Sequence, residues 1–267
     1  MEDFRTNPID KPGYVLEWND EFDGPELDTS KWLPYYLPHW SSRERSKPRY
    51  SFREGMLILR IDEDQQPWCP EFDGDVKVSC IQTGLFAGPV GSQKGQLRFN
   101  EHVVVREAQT KVQLYTPQYG YFECRARALD TPGNHVSLYM IGYEDTPEKC
   151  GEINTFEIFG NDVGARSAIV GYGIHPWRDP KLIDEFYQDP LEIDATKFHI
   201  YAHEWAPAYV DFYVDNQKIR RIHQSPAYPM QFMLSIYELP GDRRDAAYPK
   251  EFMVDYIRAY RPEAGYD

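Results

Sequence analysis

The sequence predicts an all-β fold in which two antiparallel sheets pack as a sandwich. Strand-like segments with alternating apolar and polar residues recur from end to end, and proline and glycine turns separate them. Examples are Met56–Ile61, His102–Arg106, Phe122–Ala128 and Tyr209–Val214. No linker, internal repeat or long amphipathic helical pattern interrupts the series, so we expect the 267 residues to form a single domain, 1–267.

The most informative segment carries two glutamates within a β-prone apolar strand, at Glu152 and Glu157. Side chains alternate between faces, so Asn154 shares a face with Glu152, whereas Glu157 points away unless a bulge near Thr155 and Phe156 adds one residue. Two carboxylates on one face, about 5–5.5 Å apart, suit a retaining glycosidase, which uses one as nucleophile and the other as acid and then base. A structural ion pair is the alternative interpretation.

This segment and other blocks in the same order resemble glycoside hydrolase family 16, in its laminarinase-like group. The family signature is Glu-x-Asp-x-x-Glu on a bulged strand, and the chain places asparagine at the aspartate position. The other matching blocks are Glu17–Phe22, Tyr119–Arg127, Phe198–Trp205 with Asp211–Asp215, and Phe252–Tyr260. The resemblance covers about residues 14–262 and implies a β-jelly-roll of two curved antiparallel sheets with a concave substrate cleft.

By resemblance, Glu152 is the nucleophile and Glu157 is the acid and then the base. Asn154 keeps the hydrogen-bonding shape of the family aspartate but cannot titrate, so we expect activity with an altered pH profile. A second departure is His135, which stands where the family has a tryptophan that lines the sugar site. A smaller, polar ring should change which sugar fits; in a shifted alignment, His135 would instead be a surface turn residue.

Aromatic residues make up 15% of the chain, and sugars stack on exposed aromatic rings. We assign Trp18, Trp32 and Trp205 to the core, because they lie in strand-like or family-matching blocks. By contrast, the indoles of Trp40, Trp68 and Trp177 are predicted to be exposed platforms, since they lie in proline-rich loops. The full set of predicted substrate-binding residues is Trp40, Arg43, His135, His175, Trp177, Ser235 and Tyr237. Arg43 belongs to a basic cluster with Arg45, Lys47 and Arg49, which is either part of the cleft rim or a solvated loop.

The net charge of −14, from 43 acidic and 29 basic residues, argues against nucleic acid as a partner. It also favours a neutral glycan over a strongly anionic one. No paired cysteine spacing or zinc-binding helix motif is present, so no cofactor is expected for catalysis. The resemblance does imply a structural Ca²⁺ far from the cleft, with oxygen ligands from Glu21, Gly55 and Asp255.

The sequence is compatible with more than one compartment and with more than one oxidation state of its cysteines. The four cysteines, at positions 69, 80, 124 and 150, could pair in three ways, with Cys69–Cys80 the easiest loop to close, although Cys124 lies in a strand. No signal peptide is visible at Met1–Pro8, and no apolar run is long enough to span a membrane. The visible sequence therefore favours the cytoplasm, whereas family habit favours secretion or the periplasm.

The function expected from these features is an endo-acting retaining hydrolase of a β-linked polysaccharide, acting as a monomer. The glutamate spacing is shared by laminarinases, agarases and carrageenases, and β-1,3-glucan is placed first as substrate. The alternatives are a galactan-active enzyme or a transglycosylase of the same family. A carbohydrate-binding, lectin-like protein without turnover is the alternative from another class.

Overall fold

The computed structural model describes residues 1–241 and 247–266, and strands dominate this part of the chain. The strands are β1 Tyr14–Asp20, β2 Arg49–Arg53, β3 Met56–Ile61, β4 Lys77–Gln82, β5 Gly84–Leu85, β6 Val112–Gln113, β7 Gly120–Arg127, β8 Asn134–Gly142, β9 Glu152–Phe159, β10 Ala168–His175, β11 Glu185–Leu191, β12 His199–Trp205, β13 Val210–Val214, β14 Gln217–Ile222, β15 Met230–Glu238 and β16 Lys250–Pro262. The helical pieces are the α-helices α1 Arg43–Ser46 and α2 Pro70–Asp73 and the 3-10 turns Pro38–Trp40 and Gly160–Asp162.

Two large sheets face each other. The back sheet has the order β14-β13-β12-β7-β16-β3-β2, with β1 also paired to β16, and the site sheet has the order β11-β10-β9-β8-β15-β4. The two-residue strands β5 and β6 form a separate pair. Every strand pairing in the three sheets is antiparallel. The predicted all-β jelly-roll sandwich is confirmed.

The main core lies between the two sheets and follows the alternation of each strand. Phe122 and Cys124 of β7 point inward from the back sheet, and Ile153 and Phe156 of β9 point inward from the site sheet. Burial of such side chains contributes about 1.5–3 kcal/mol each. This alternation leaves Glu152, Asn154 and Glu157 of β9 on the outer face of the site sheet.

A second apolar cluster covers one side of that outer face. Tyr139 of β8 and Met233 and Tyr237 of β15 are buried beneath loop residues, which include Trp40 and Trp68. We call these loops the covering layer, which comprises the parts of segments 36–40, 68–76 and 87–105 that belong to this cluster. The covering layer occupies the β15 and β4 side of the site sheet and leaves β9, β10 and β11 as its accessible side.

The covering layer overturns three expectations. His102–Arg106 is not a strand: Val103 and Val105 are buried in the second cluster, and their alternation reflects packing onto the sheet rather than strand pairing. Trp40 and Trp68 are not exposed platforms, since their exposed fractions are 0% and 1%. Their indole N–H groups are satisfied internally, by the Gln96 carbonyl oxygen at 2.8 Å and by Asp73 Oδ2 at 2.6 Å.

Other assignments are confirmed. Trp32 and Trp205 are fully buried, and Trp18 packs against the main core. All four cysteines are buried free thiols, so none of the possible pairings, including Cys69–Cys80, is formed. Within the described ranges, no helix is long and apolar enough to cross a membrane.

Candidate active site

The predicted bulge is present in β9, and Thr155 is its extra residue. In the pairing of β9 with β8, Asn154 lies opposite Tyr139 and Phe156 lies opposite Leu138, so Thr155 has no opposite residue. The register of β9 with β10 shifts at the same point. Because of this one-residue insertion, Glu152, Asn154 and Glu157 all face outward from the site sheet.

Three neighbours contact or face the carboxylate of Glu152. Asn154 Nδ2 donates to its Oε1 at 2.8 Å, and Trp177 Nε1 donates to its Oε2 at 2.6 Å. His175 lies directly opposite it on β10. Burial raises the pKa of Glu152, while the charge of His175 and the two hydrogen bonds act in the lowering direction. The hydrogen bonds favour the ionised form of this carboxylate.

Glu157 has a different environment. Burial raises its pKa to about 8, and the nearby charge of Glu152 adds to the rise. Its Oε2 lies 3.7 Å from His135 Nε2, but burial lowers the pKa of His135 to about 3, so the imidazole is neutral and forms no ion pair. Among the described residues, neither glutamate is paired with a lysine or arginine, which disfavours the structural ion-pair interpretation. Glu157 therefore holds its proton at neutral pH, whereas the hydrogen bonds to Glu152 favour the ionised form of that carboxylate; an acid and a nucleophile require a difference in this direction.

His135 lies in the site and not in a surface turn. Its ring stacks between Phe159 at 4.5 Å and Tyr237 at 5.0 Å, with interplanar angles of 10° and 16°. This stack crosses β9, β8 and β15 next to Glu157, and the Tyr237 hydroxyl is 2.8 Å from that of Tyr139. Tyr237 also meets Tyr36 of the covering layer edge to face, so the stack ends at a wall.

The opposite side of the site is formed by β10, β11 and the loop after β10. Trp177 is 41% exposed and adopts a left-handed backbone conformation (φ 49°), which is unusual for a bulky residue. His175 stacks on Phe186 at 4.5 Å, and its Nδ1 lies 2.7 Å from Asp184 Oδ1. A Cβ at Gly171 would lie 2.7 Å from the Phe186 ring, so this glycine lets the ring lie over β10. The exposed indole predicted at Trp177 is confirmed.

Of the remaining predicted substrate-binding residues, Ser235 lies on the strands beside Glu157, whereas Arg43 and Trp40 lie in the loops. Ser235 is fully buried on β15 opposite Ser137, which in turn is opposite Glu157. Arg43 begins α1, donates to Gln109 Oε1 at 2.8 Å and lies 5.1 Å from the ring centre of Tyr35. These contacts hold Arg43 within the loops, as in the solvated-loop interpretation. Trp40 lies inside the covering layer, where it can shape the wall of the site but offers no ring face to a sugar.

Sequence reasoning missed Phe159, Ser137 and Phe186. Phe159 lies two residues beyond Glu157, so strand alternation alone could have placed it on the same face. Ser137 is opposite Glu157 only because of the register that the bulge imposes. Phe186 reaches the site through the pairing of β11 with β10, and no signal in its own segment indicates that pairing.

Of the three residues expected to bind Ca²⁺, Glu21, Gly55 and Asp255, the two carboxylates do not fit a divalent cation. Both carboxylate oxygens of Glu21 accept hydrogen bonds from Arg258, at 2.8 and 2.7 Å, and Asp255 Oδ2 accepts one from Arg125 at 2.7 Å. Each carboxylate is therefore already neutralised by a guanidinium. Within the part of the chain that the structure describes, no group of three or more His, Cys, Asp or Glu side chains could hold a metal ion.

The sandwich fold and the carboxylate pair on a bulged strand define the class of glycoside hydrolases with a jelly-roll fold. The model of the family "Glycosyl hydrolases family 16" matches residues 92–258. The chain belongs to this family.

Three relatives give the range of similarity. The structure of a "GlcNAcα1-4Gal releasing endo-β-galactosidase" from Clostridium perfringens is 34% identical, with a TM-score of 0.88, and the match covers 100% of this chain and 67% of that one. A laminarinase from Flavobacterium sp. UMI-01 is 20% identical with a TM-score of 0.64, over 92% and 100% of the two chains, and shows the fold alone. A "Beta-glucanase" from Acetivibrio thermocellus is 28% identical over 149 residues, 53% of this chain and 42% of the relative. The chain thus spans less than half the length of the curated relatives it matches.

Proposed function

We propose that the chain is an endo-acting retaining glycoside hydrolase that cleaves the bond following a β-linked galactose-configured sugar. The observation that carries this proposal is the bulge at Thr155, which places Glu152 and Glu157 on one outward face of β9. Paired carboxylates with separated proton affinities support a double displacement.

In the first step, a Glu152 oxygen attacks the anomeric carbon while Glu157 gives its proton to the departing glycosidic oxygen. The C–O bond to the leaving sugar breaks, and a glycosyl ester of Glu152 forms. In the second step, Glu157, now ionised, takes a proton from water, whose oxygen attacks the anomeric carbon and releases Glu152. Two inversions give net retention, and Glu157 ends protonated as it began. Asn154 and Trp177 orient the nucleophile through their hydrogen bonds to its two oxygens.

The choice of sugar follows from unpaired polar atoms around Glu157. Among the described residues, His135 Nε2, Ser137 Oγ and Asn154 Oδ1 are buried and have no hydrogen-bond partner. Buried polar atoms of this kind normally have partners, so a bound sugar is expected to supply them. An axial hydroxyl points out of the ring plane, as in galactose, and can reach a polar floor. The hydroxyls of glucose are all equatorial and lie near the plane of the ring, so a glucose unit would leave these polar atoms without partners.

The 34% identity to an endo-β-galactosidase along the whole of this chain also supports a galactose-configured substrate. The covering layer adds a restriction on length. It fills the outer face over β15 and β4, so a sugar chain that crosses β9 can extend freely only on the β10 and β11 side. We therefore expect one side of the cut to accommodate a short, fixed number of sugar units.

The deciding experiment is product analysis on a panel of glycans. The panel contains a GlcNAcα1-4Gal-capped β-galactoside, a β-1,3-galactan, agarose, κ-carrageenan, laminarin and mixed-linkage β-glucan. We expect products from a β-galactoside, a first-formed product of β configuration by proton NMR, and loss of turnover in Glu152→Gln. Glu144→Gln is the matched control, because Glu144 is also a buried glutamate whose pKa is raised to about 8 by burial.

Two other outcomes define the alternatives. Release of oligosaccharides from laminarin alone would favour the β-1,3-glucanase, whose fold the laminarinase structures share with this chain. Binding without turnover, unchanged in Glu152→Gln, would favour the lectin-like alternative. A first-formed α product would contradict the retaining mechanism.

A further inference from the structure

The outer face of the back sheet, on the far side of the sandwich from Glu157, carries a cavity lined by tyrosines. In β7, Phe122 and Cys124 face the core, so alternation turns Tyr121 and Glu123 outward. The cavity measures about 390 Å³. Its aromatic lining comes from four strands of the back sheet, through Tyr14, Tyr121, Tyr213 and Tyr260.

A second cavity of about 380 Å³ adjoins the first. It is lined by Glu204, Tyr209 and Tyr266, among others. The two cavities are neighbours, because the hydroxyl of Tyr14 in the first donates to Glu204 Oε1 in the second at 2.8 Å. Together they form what we call the tyrosine groove. It adjoins none of the residues of β9.

The first cavity contains a buried carboxylate that is incompletely paired. Glu123 is 1% exposed, and among the described residues no donor lies at ordinary hydrogen-bond distance from its Oε1, although the Tyr256 hydroxyl and the Arg258 guanidinium both act on this carboxylate. Asn7 donates to its other oxygen at 3.1 Å, and Arg258 Nη1 lies 3.7 Å from Oε1, too far for a hydrogen bond. The ammonium of Lys11 lies 3.7 Å from the ring centre of Tyr121, which accounts for one aromatic face. The rings of Tyr14 and Tyr213 are only half-buried.

We propose that the tyrosine groove is a second glycan site, which binds a neutral saccharide chain. The C–H faces of sugar rings stack on tyrosines, and sugar hydroxyls can donate to Glu123 and Glu204. An apolar peptide would offer no donor to the remaining acceptor sites of those carboxylates, and the net charge of −14 disfavours an anionic chain. Two adjoining cavities suit at least two consecutive sugar units. This site is independent of the chemistry proposed for Glu152 and Glu157.

The test uses the full chain carrying Glu152→Gln, so that no probe is cleaved. Calorimetric titration is done with a neutral poly-N-acetyllactosamine hexasaccharide and with laminarihexaose. The groove variant adds Tyr209→Ala and Tyr213→Ala. The matched control adds Tyr187→Ala instead, on the other sheet. Tyr187 and Tyr209 have similar surroundings, because Arg220 lies 3.8 Å from the ring centre of Tyr187 and Arg221 lies 3.7 Å from that of Tyr209.

We expect the groove variant to lose one binding site for at least one probe, or to bind it at least tenfold more weakly, while the control binds as Glu152→Gln does. The same tyrosine changes in the active chain should leave kcat/KM on a small soluble substrate unchanged, which separates this site from the catalytic one. Equal binding by the groove variant and its parent would overturn the proposal. So would a loss shared by the control, or no binding of either probe by the Glu152→Gln chain.

Discussion

The hydroxyl oxygen of Thr155 lies 3.0 Å from Nδ1 of His203, and this contact joins the bulge of β9 to β12 on the opposite sheet. His203 is fully buried, and burial lowers its pKa to about 3, so its ring is neutral. The ring also stacks on Phe122 at 5.0 Å. The residue that realigns the two glutamates is therefore held by the packing of the sandwich, and not by its own strand alone.

Replacement of Thr155 by valine should weaken both the fold and the site. Valine keeps the shape but leaves a buried imidazole nitrogen without a partner, so the free energy of unfolding should fall by about 1–3 kcal/mol. We also expect kcat to fall, because the bulge loses its anchor. Urea unfolding and initial rates measure the two effects. Thr83→Val removes a buried hydrogen bond to the Phe232 amide and should lower stability only; an equal fall in kcat there would contradict the anchoring role.

The alkaline limit of activity should belong to Glu157. This residue must be protonated to act as the acid, and its pKa is raised to about 8, so kcat/KM should fall as pH rises through about 8. Glu157→Gln should remove that limb together with most of the activity on substrates with poor leaving groups. Glu144 has a similarly raised pKa but lies outside the carboxylate pair. We expect Glu144→Gln to keep the alkaline fall in kcat/KM. If that fall disappeared in Glu144→Gln, it would belong to Glu144 and not to Glu157.

The same carboxyl should affect stability in a direction set by its raised pKa. The folded state holds the Glu157 proton more tightly than the unfolded state does. The stabilising effect of this proton is therefore complete when the pH is below the ordinary pKa of glutamate. The effect is lost as pH rises from there through about 8. The melting temperature of Glu157→Gln minus that of the parent chain should therefore be larger at pH 9 than at pH 5. Thermal unfolding at both values measures this, and a constant difference would contradict the linkage.

His135→Trp should shift the sugar preference from galactose towards glucose. A tryptophan in this stack removes the unpaired Nε2 and places a larger, mostly apolar ring edge beside Glu157. The ratio of kcat/KM for matched β-galactoside and β-glucoside substrates should fall by about 10- to 200-fold, the range that single pocket contacts give. His223→Trp, at an exposed position, is the control. An unchanged ratio would mean that His135 does not select the sugar.

Asn154→Asp should move the acidic limb of the pH profile. The amide of Asn154 donates to Glu152 at 2.8 Å and stays neutral at every pH. An ionised aspartate would place a second negative charge beside the nucleophile and raise its pKa, so activity should need a higher pH to appear. Steady-state rates from pH 4 to 9 test this. If rate and optimum are both unchanged, the position has no electrostatic role.

Chelation should leave the melting temperature unchanged, because Glu21 is engaged by Arg258 through two hydrogen bonds. Glu21→Gln, by contrast, should lower stability, since the Arg258 side chain is only 5% exposed and would lose the carboxylate to which it donates two hydrogen bonds. Thermal unfolding with and without EDTA measures the first effect. A clear drop with EDTA, restored by Ca²⁺, would support the calcium site implied by the family resemblance.

Sequence patterns were sufficient where a property depends on neighbouring residues. Alternation and turn residues predicted strands close to β3, β7 and β13, and the odd spacing of Glu152 and Glu157 required a bulge at the place where one is found. The same rules failed at His102–Arg106, Trp40 and Trp68. Those residues alternate or stand in loops as predicted, but their burial depends on a covering layer that other parts of the chain complete.

By itself, the sequence determined the all-β class and the strand that carries both glutamates, because side-chain alternation and β propensity act over a few residues. Only the tertiary structure decided which groups surround that strand. Phe186 and Ser137 reach the site through strand register, the indole of Trp177 reaches Glu152 through a loop, and His203 secures the bulge from the other sheet. Contacts of this kind depend on the register and packing of segments far apart in the chain, which no local pattern encodes.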